Sequence, residues 1–306
     1  MTKIFIDGSA GTTGLRIRER LAGREGLDIL TLPEELRKDA EARRVALNSA
    51  DIAFLCLPDA AAIEAVSLVD NPNTAIIDTS TAHRTADGWT YGFPEIVGAD
   101  AIAASKRIAN PGCHASGFVA LVAPLVKACI LHPDTRLTCF SLTGYSGGGK
   151  PMIAAYEAAD RDPLLGAPRQ YGLGQKHKHL PEMAKVCGLT HAPVFCPIVG
   201  DFYSGMEVTV MLHGEDLQGT IEDVKAAYRQ IYVGTMVKLC VEADESGFLS
   251  AAAMSGRDDM EITVHGNEER LILTARFDNL GKGASGAAIQ NMNILLGVDP
   301  ATGLVV

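Results

Sequence analysis

Long apolar runs, paired cysteines and positive charge are all scarce in this chain of 306 residues, and each scarcity removes a class of function. The longest apolar stretch, residues 114–131, is interrupted by Pro124 and Lys127, whereas a bilayer span needs about 20 consecutive apolar residues, so no membrane partner is expected. Met1-Thr2-Lys3 leads directly into a strand-like Ile4-Phe5-Ile6, which is not the pattern of a secretory leader. A formal net charge of −10 argues against nucleic acid or an anionic membrane as partner, since both demand a surplus of Lys and Arg. An anionic small molecule would have to be met by a locally basic pocket. The cysteines, Cys56, Cys113, Cys129, Cys139, Cys187, Cys196 and Cys240, are odd in number, scattered, and contain no C-x-x-C pair. That pattern predicts free thiols in a reducing cytoplasm and no structural zinc site. Internal repeats, low-complexity tracts and long linkers are also missing.

What is present is apolar material for more than one core: 47% hydrophobic against 21% charged residues, over a length that suggests two domains. Residues 4–7 form an apolar strand, followed by Gly8-Ser9-Ala10-Gly11-Thr12-Thr13-Gly14 and a helix over residues 15–22. In a strand, glycine turn and helix of this kind, the backbone approaches a pyrophosphate whose charge is held by the N–H groups of the helix start. The spacing is G-x-x-G-x-x-G rather than G-x-G-x-x-G, and a tight turn in an ordinary α/β unit is the competing explanation. After the second strand, residues 28–32, Glu34 favours NAD by pairing with a ribose hydroxyl, while Arg37 and Lys38 suit a 2′-phosphate. The balance favours NADP. A helix over 35–48, strands at 51–57, 74–78 and 106–109, and a helix over 60–69 complete a β-α-β alternation that predicts a doubly wound, Rossmann-like parallel sheet. Polar residues 79–84, with Ser80 and Arg84 among them, close the fourth of these strands on the side where such sheets bind ligands.

Asn110-Pro111-Gly112-Cys113 places one thiol where a turn feeds a helix. Unpaired N–H groups and the positive end of the helix dipole stabilise a thiolate there, which makes Cys113 a candidate nucleophile as well as a candidate small core residue. Beyond it the pattern changes to strands with fewer helices: 136–143, 195–199, 206–212, 237–241 and a hairpin of 261–265 with 270–276, plus a helix over 220–232. Runs of antiparallel strands predict an α+β second domain. A helix over 284–296 ends the chain. His177-Lys178-His179 presents two imidazoles able to hold and return a proton; alternate residues of an extended segment would face one way. Gly144-Tyr145-Ser146-Gly147-Gly148-Gly149-Lys150 fits G-x-x-x-x-G-K, but Pro151 stands where a P-loop carries Ser or Thr. A cradle for an anionic substrate through Ser146 and Lys150 is the weaker expectation retained. Asp278-Asn279-Leu280-Gly281-Lys282-Gly283 is a further glycine-rich turn, with Asn279 available to a cofactor amide.

Taken together, residues 8–14, 110–116, 145–150, 177–182 and 278–293 resemble, in that order, the motifs of the N-acetyl-gamma-glutamyl-phosphate reductases of the shorter type, within the aspartate-semialdehyde dehydrogenase-like group. The resemblance covers nearly the whole chain. It implies Cys113 as nucleophile, His177 or His179 as acid/base, NADPH as cofactor, an acyl phosphate as substrate, arginine biosynthesis in the cytoplasm, and a homo-oligomer, dimer or tetramer. It also implies a nucleotide domain of residues 1–112 and 284–306 and a substrate and dimerisation domain of residues 113–283. Longer members commonly carry Cys-Tyr-Pro-Thr at the site; here His114-Ala115-Ser116 follow Cys113, as in the shorter type. Aspartate-semialdehyde dehydrogenase activity and a non-catalytic dinucleotide sensor are the alternatives.

Overall fold

Six short strands open the chain, most of them aliphatic, and a computed structural model describing all 306 residues joins them into one sheet. β1 (Thr2–Asp7), β2 (Leu27–Leu30), β3 (Ile52–Leu55), β4 (Ala75–Asp78), β5 (Thr90–Tyr91) and β6 (Arg107–Ala109) lie in the order β2-β1-β3-β4-β6-β5. Every pairing is parallel. Among the crossovers are α1 (Thr12–Leu21), α2 (Ala40–Ser49), α3 (Asp59–Ser67) and the short α4 (Pro94–Val97) and α5 (Ala99–Ala103). Strand alternation divides β1 between two cores: Ile4 and Ile6 pack with Ile17, Leu21 and, from the end of the chain, Ile289 and Met292. Phe5 packs on the other face with Leu47, Ala62 and Ala65. Burial on both faces is why these strands are continuous apolar runs. β2 lies on one side of β1 and β3 on the other, so the order reverses there and the carboxyl ends of β1 and β3 bound the crevice in which such sheets take ligands.

This first unit comprises Met1–Pro111 and Ala284–Leu304, the latter carrying the last helix, α10 (Gly286–Leu295). The second comprises Gly112–Gly283 with Val305–Val306. Val305 belongs there because its N–H donates to the Asp258 carboxylate at 3.0 Å and its carbonyl accepts the Asp258 N–H at 2.7 Å.

In the second unit the chain runs through α6 (Cys113–Lys127), β7 (Thr138–Gly144), α7 (Gly149–Glu157), β8 (Arg169–Gln170), α8 (Leu180–Cys187), β9 (Val194–Gly200), β10 (Met206–His213), α9 (Ile221–Ile231), β11 (Val237–Leu239), β12 (Met260–Gly266) and β13 (Arg270–Phe277). The strands form a single sheet ordered β11-β12-β13-β10-β7-β9-β8. Val208 and Val210 of β10 pair with Ala275 and Leu273 of β13, and all four are buried. α6 packs on this face so closely that a Cβ on Gly117 would lie 2.5 Å from a Val208 methyl.

Several expectations need correction. The sheet is mixed rather than antiparallel, because β7 runs parallel to β9 and β11 parallel to β12. The helix expected over 35–48 starts at Ala40, after a 3-10 turn at Glu34–Leu36, where the Asp39 side chain caps it by accepting the Ala42 N–H. α6 stops at Lys127, one turn after Pro124, and Cys129 takes a left-handed φ of 56° that ends it. The glycine-rich segment Gly144 to Lys150 is not an open loop: Tyr145–Gly148 form a 3-10 turn, and Gly149 and Lys150 open α7. The final helix is preceded by a π turn at Gly281–Ser285.

Candidate active site

In the first unit the chain leaves β1 through Gly8, whose φ of 87° and position 2.2 Å, at an ideal Cβ, from the Cys56 carbonyl oxygen exclude any side chain. Gly14 is equally constrained, since a Cβ there would lie 2.5 Å from the Gly8 carbonyl. Gly11 differs: its φ is −74° and a Cβ would meet nothing nearer than 3.5 Å. Nothing in the fold demands glycine at 11; the N–H groups of Thr12, Thr13 and Gly14, which open α1, have no intrahelical partners, the arrangement that can receive an anion. Beside this turn lies a cleft of about 740 Å³ whose lining includes Asp7, Ser9, Arg18, Glu34, Arg37 and Lys38. The structure thus brings the expected basic pair together with the glycine turn and adds Arg18, whose signal was its place among the basic positions of α1.

Past β4 the polar cluster is internally braced. The Ser80 hydroxyl and N–H both donate to the buried Asp78 carboxylate, at 2.7 and 2.9 Å. His83 Nδ1 stands 2.6 Å from the same carboxylate, with its ring stacked on Trp89 at 4.1 Å. Arg84, expected at the substrate, donates to the carbonyls of Asn110 and Thr79 at 2.9 and 3.0 Å, and so ties the β4 and β6 ends together.

In the second unit Cys113 is the first residue of α6, half-buried, with Gly112 in extended backbone as its N-cap. What brings the other groups to it is Glu182 in the first turn of α8. Its carboxylate, almost fully buried, accepts the Gly112 N–H at 2.8 Å. This bond joins the starts of two helices, one carrying Cys113 and the other capped by His179. The two imidazoles are brought together, though by a turn and not by an extended strand: the His179 N–H donates to His177 Nδ1 at 3.2 Å and the rings meet edge-on at 4.7 Å. That bond leaves the His177 proton on Nε2, and burial, with Lys178 adding to it, lowers the His177 pKa. The loop before them is held by Gln175, whose amide makes both bonds to the Phe195 backbone, at 2.7 and 2.9 Å.

His114 completes the cluster, 5.7 Å from His177 and 5.6 Å from His179 between ring centres. It is buried, its Nδ1 lies 2.7 Å from Ser141 Oγ and its Nε2 2.6 Å from the Tyr171 hydroxyl. Burial, chiefly, pushes its pKa down to about 3. Gly283 closes the other side of the cysteine, where a Cβ would sit 3.0 Å from the Cys113 Cβ. Burial favours the neutral form of thiols as well, raising Cys56 to about 12 and Cys240 to about 11.

The expected anion cradle is arranged differently. Ser146 is buried and accepts from Asn279 Nδ2 at 3.0 Å, while Asn279 Oδ1 accepts the Gly205 N–H at 2.9 Å. The amide expected at the cofactor is therefore engaged within the second unit, where it fastens Ser146 and Gly205 together. Lys150 is exposed in the first turn of α7.

Two family models match the chain: the semialdehyde dehydrogenase NAD binding domain over residues 3–105 and the semialdehyde dehydrogenase dimerisation domain over residues 113–279. The N-acetyl-gamma-glutamyl-phosphate reductase of Rhizobium meliloti is 48% identical over 305 residues, covering 96% of this chain and 98% of that one. N-acetyl-gamma-glutamyl-phosphate reductase 2 of Pseudomonas putida is 44% identical over 311 residues, with 98% of each covered. The chain belongs to the N-acetyl-gamma-glutamyl-phosphate reductase family. Its fold is also that of the solved aspartate semialdehyde dehydrogenase II of Vibrio cholerae in complex with ASA, at a TM-score of 0.73, 17% identity and coverage of 97% and 98%. The Candida albicans enzyme solved with NADP matches at a TM-score of 0.67, 16% identity and the same coverage.

For a member of this reductase family, the residues missed by inspection of the sequence are those that orient the named ones. His114 lies inside the apolar stretch of residues 114–131, and its one signal is that it directly follows the cysteine. Glu182 stands three residues after the helix cap His179, a spacing that marks helix starts. Ser141 and Tyr171 carried no local signal, since only the sheet brings β7 and the loop after β8 under α6.

Proposed function

We propose that this protein reduces N-acetyl-glutamyl 5-phosphate to N-acetyl-glutamate 5-semialdehyde with NADPH, through a thioester on Cys113, as a step of arginine biosynthesis in the cytoplasm. The observation that carries the reading is the Glu182 to Gly112 hydrogen bond, which sets a cysteine at a helix N-terminus beside a histidine-capped second helix. Residues 1–112 with 284–306 serve as the nucleotide domain and residues 113–283 as the substrate and dimerisation domain.

Cys113 attacks the carbonyl carbon of the acyl phosphate as thiolate, stabilised by the N–H groups and dipole of α6. The carbon–oxygen bond to phosphate breaks, phosphate leaves with that electron pair, and a thioester remains. NADPH, when bound, supplies the hydride that the thioester carbon accepts. His179, with His177 beside it, gives a proton to the oxyanion as charge develops there and retakes it as the carbon–sulfur bond breaks. The aldehyde departs and the thiolate is restored. Gly8, Ser9, Gly11, Thr12, Thr13 and Gly14 hold the pyrophosphate, and Arg37 and Lys38, with Arg18, take the 2′-phosphate.

The protein works as a homo-oligomer in this reading. The sheet face turned away from α6 carries exposed Phe140, Val194, Met211 and Ile272, with Met211 paired directly to Ile272, and a second copy of the chain is the partner that covers it. Sedimentation at the mass of one 32.4 kDa chain would contradict this. The activity is tested by turnover of N-acetyl-glutamyl phosphate against β-aspartyl phosphate with each cofactor. Rapid reduction of the first with NADPH is expected, and replacing Arg37 and Lys38 by Ala should weaken NADPH by roughly 10- to 100-fold while sparing NADH, the scale of a lost charged hydrogen bond. Preference for β-aspartyl phosphate would overturn the substrate, and equal loss for both cofactors the 2′-phosphate role.

A further inference from the structure

The floor of the dinucleotide cleft carries a carboxylate at the point where a pyrophosphate has to enter. Asp7 is the last residue of β1, directly before Gly8, and it lines the cleft although it is almost wholly buried. Strand alternation puts it there: Ile4 and Ile6 serve one core, so Phe5 and Asp7 take the opposite face, on the side of α2 and α3. The carboxylate accepts the Gly8 N–H, a bond that helps hold the left-handed step, φ 87°, with which the glycine turn begins. Left bare, that carboxylate would repel a phosphate and would be costly to bury.

α2 meets the charge from behind. Arg43 is buried and is not part of the cleft lining. Its Nε donates to Asp7 Oδ2 at 3.0 Å, its Nη2 lies 3.0 Å from the same oxygen, and its Nη1 donates to Glu64 of α3 at 3.3 Å. The Glu64 side chain is 55% exposed, so water screens it. The buried part of the triad is therefore the neutral pair Asp7 and Arg43.

We propose that Arg43 is a positioning residue for the cofactor: acting through Asp7, it cancels the charge of the cleft floor, so that the turn keeps the carboxylate that shapes it and still receives a pyrophosphate. The inference rests on the cleft being the dinucleotide site. It deepens that reading by naming a determinant behind the cleft wall, and one that serves both nicotinamide cofactors, because the pyrophosphate is common to them.

Titration calorimetry with NADP⁺ and with NAD⁺, alongside thermal melting, reads this without turnover. Arg43→Met keeps an apolar stem, removes the cation and strands Asp7. It should lower the melting temperature and weaken both cofactors by roughly 10- to 100-fold, the effect of one unit charge at short range in a partly buried site. Asp7→Asn alone leaves the guanidinium uncompensated and should tighten both by roughly 3- to 10-fold. The double variant Asp7→Asn with Arg43→Met is neutral again, keeps an amide oxygen for the Gly8 N–H, and should return close to wild type. Opposite signs in the two single variants are what a purely structural ion pair would not give, since losing either partner would then weaken binding.

Acidity supplies a second readout. Burial, the largest influence, and Glu64 raise the Asp7 pKa while Arg43 lowers it, so removing Arg43 moves it further up. Protonation then discharges the floor, and the deficit of Arg43→Met relative to wild type should shrink as the pH falls toward about 6. The other charges facing Asp7 are Arg18, Glu34, Glu35, Arg37 and Lys38 across the cleft, and these are the same in every variant. Cys56 beside it is a neutral thiol, its pKa raised to about 12 by burial, and Leu55 stands between Asp7 and Asp78 in the strand register. Unchanged affinity in Arg43→Met, or a loss that Asp7→Asn does not relieve, overturns the inference. Should Arg43→Met fail to fold, Asp7→Asn still decides, because weaker binding there overturns it equally. A wild-type protein that binds neither cofactor would overturn the reading of the cleft itself, before any variant is compared.

Discussion

Cys113→Ser is expected to lower turnover by on the order of 10⁵-fold or more, the scale seen when a covalent nucleophile is removed, while NADPH binds as before. The substitution keeps the shape and hydrogen bonding of the helix start, so α6 and its bond from Gly112 to Glu182 stay intact. Chemistry changes because a hydroxyl lacks the accessible anion that a helix N-terminus gives to sulfur. Cofactor affinity should persist because the glycine turn and its cleft lie in residues 5–57, far from position 113 in the chain. A second measurement isolates the covalent step: acyl phosphate mixed with wild-type protein in the absence of NADPH should release phosphate and leave an acyl group on Cys113 by mass spectrometry. Near-normal turnover in Cys113→Ser would sink the mechanism, as would release of phosphate with no adduct on the cysteine.

His179→Ala should cost about 100- to 10,000-fold in kcat, the usual range for an acid/base group, and His177→Ala should cost less. The difference follows from burial. His179 is only 5% exposed, so water cannot easily take its place, whereas half-buried His177 leaves room for a solvent molecule to relay the proton. His177 also spends one nitrogen on the backbone N–H of His179, which suits it to orient its neighbour. Thermal melting of both variants should stay close to wild type. A larger loss in His177→Ala would exchange the two roles, and full activity in both would remove histidine from proton transfer to the oxyanion.

The nucleotide-binding half was legible in sequence because its information is local. Gly8, Gly11 and Gly14 mark a turn whose backbone demands appear at those positions, and the aliphatic strands β1, β3 and β4 are buried on both faces, so each is a short unbroken run. The 3-10 turn at Glu34–Leu36 escaped because acidic and basic residues of good helix propensity fill it; the stop and restart is made by Asp39, whose capping bond competes with an earlier start. The parallel pairing of β7 with β9 escaped for a different reason. The partner of a strand is chosen by the α8 crossover between them, and nothing within residues 138–144 encodes it.

Cys113 at a helix start, two nearby histidines and a glycine turn opening an α/β unit were determined by the sequence itself, because turn chemistry, helix capping and strand burial act over a few residues. Only the tertiary structure decided which groups gather at the helix start that carries that cysteine. Glu182 binds the Gly112 N–H across 70 residues of chain, Ser141 reaches His114 across 27 and Tyr171 reaches it across 57. It also turned Asn279 toward Ser146, 133 residues away. Such pairings are selected by the closure of the seven-stranded sheet under α6, where a buried polar group must find a partner wherever the packed chain supplies one.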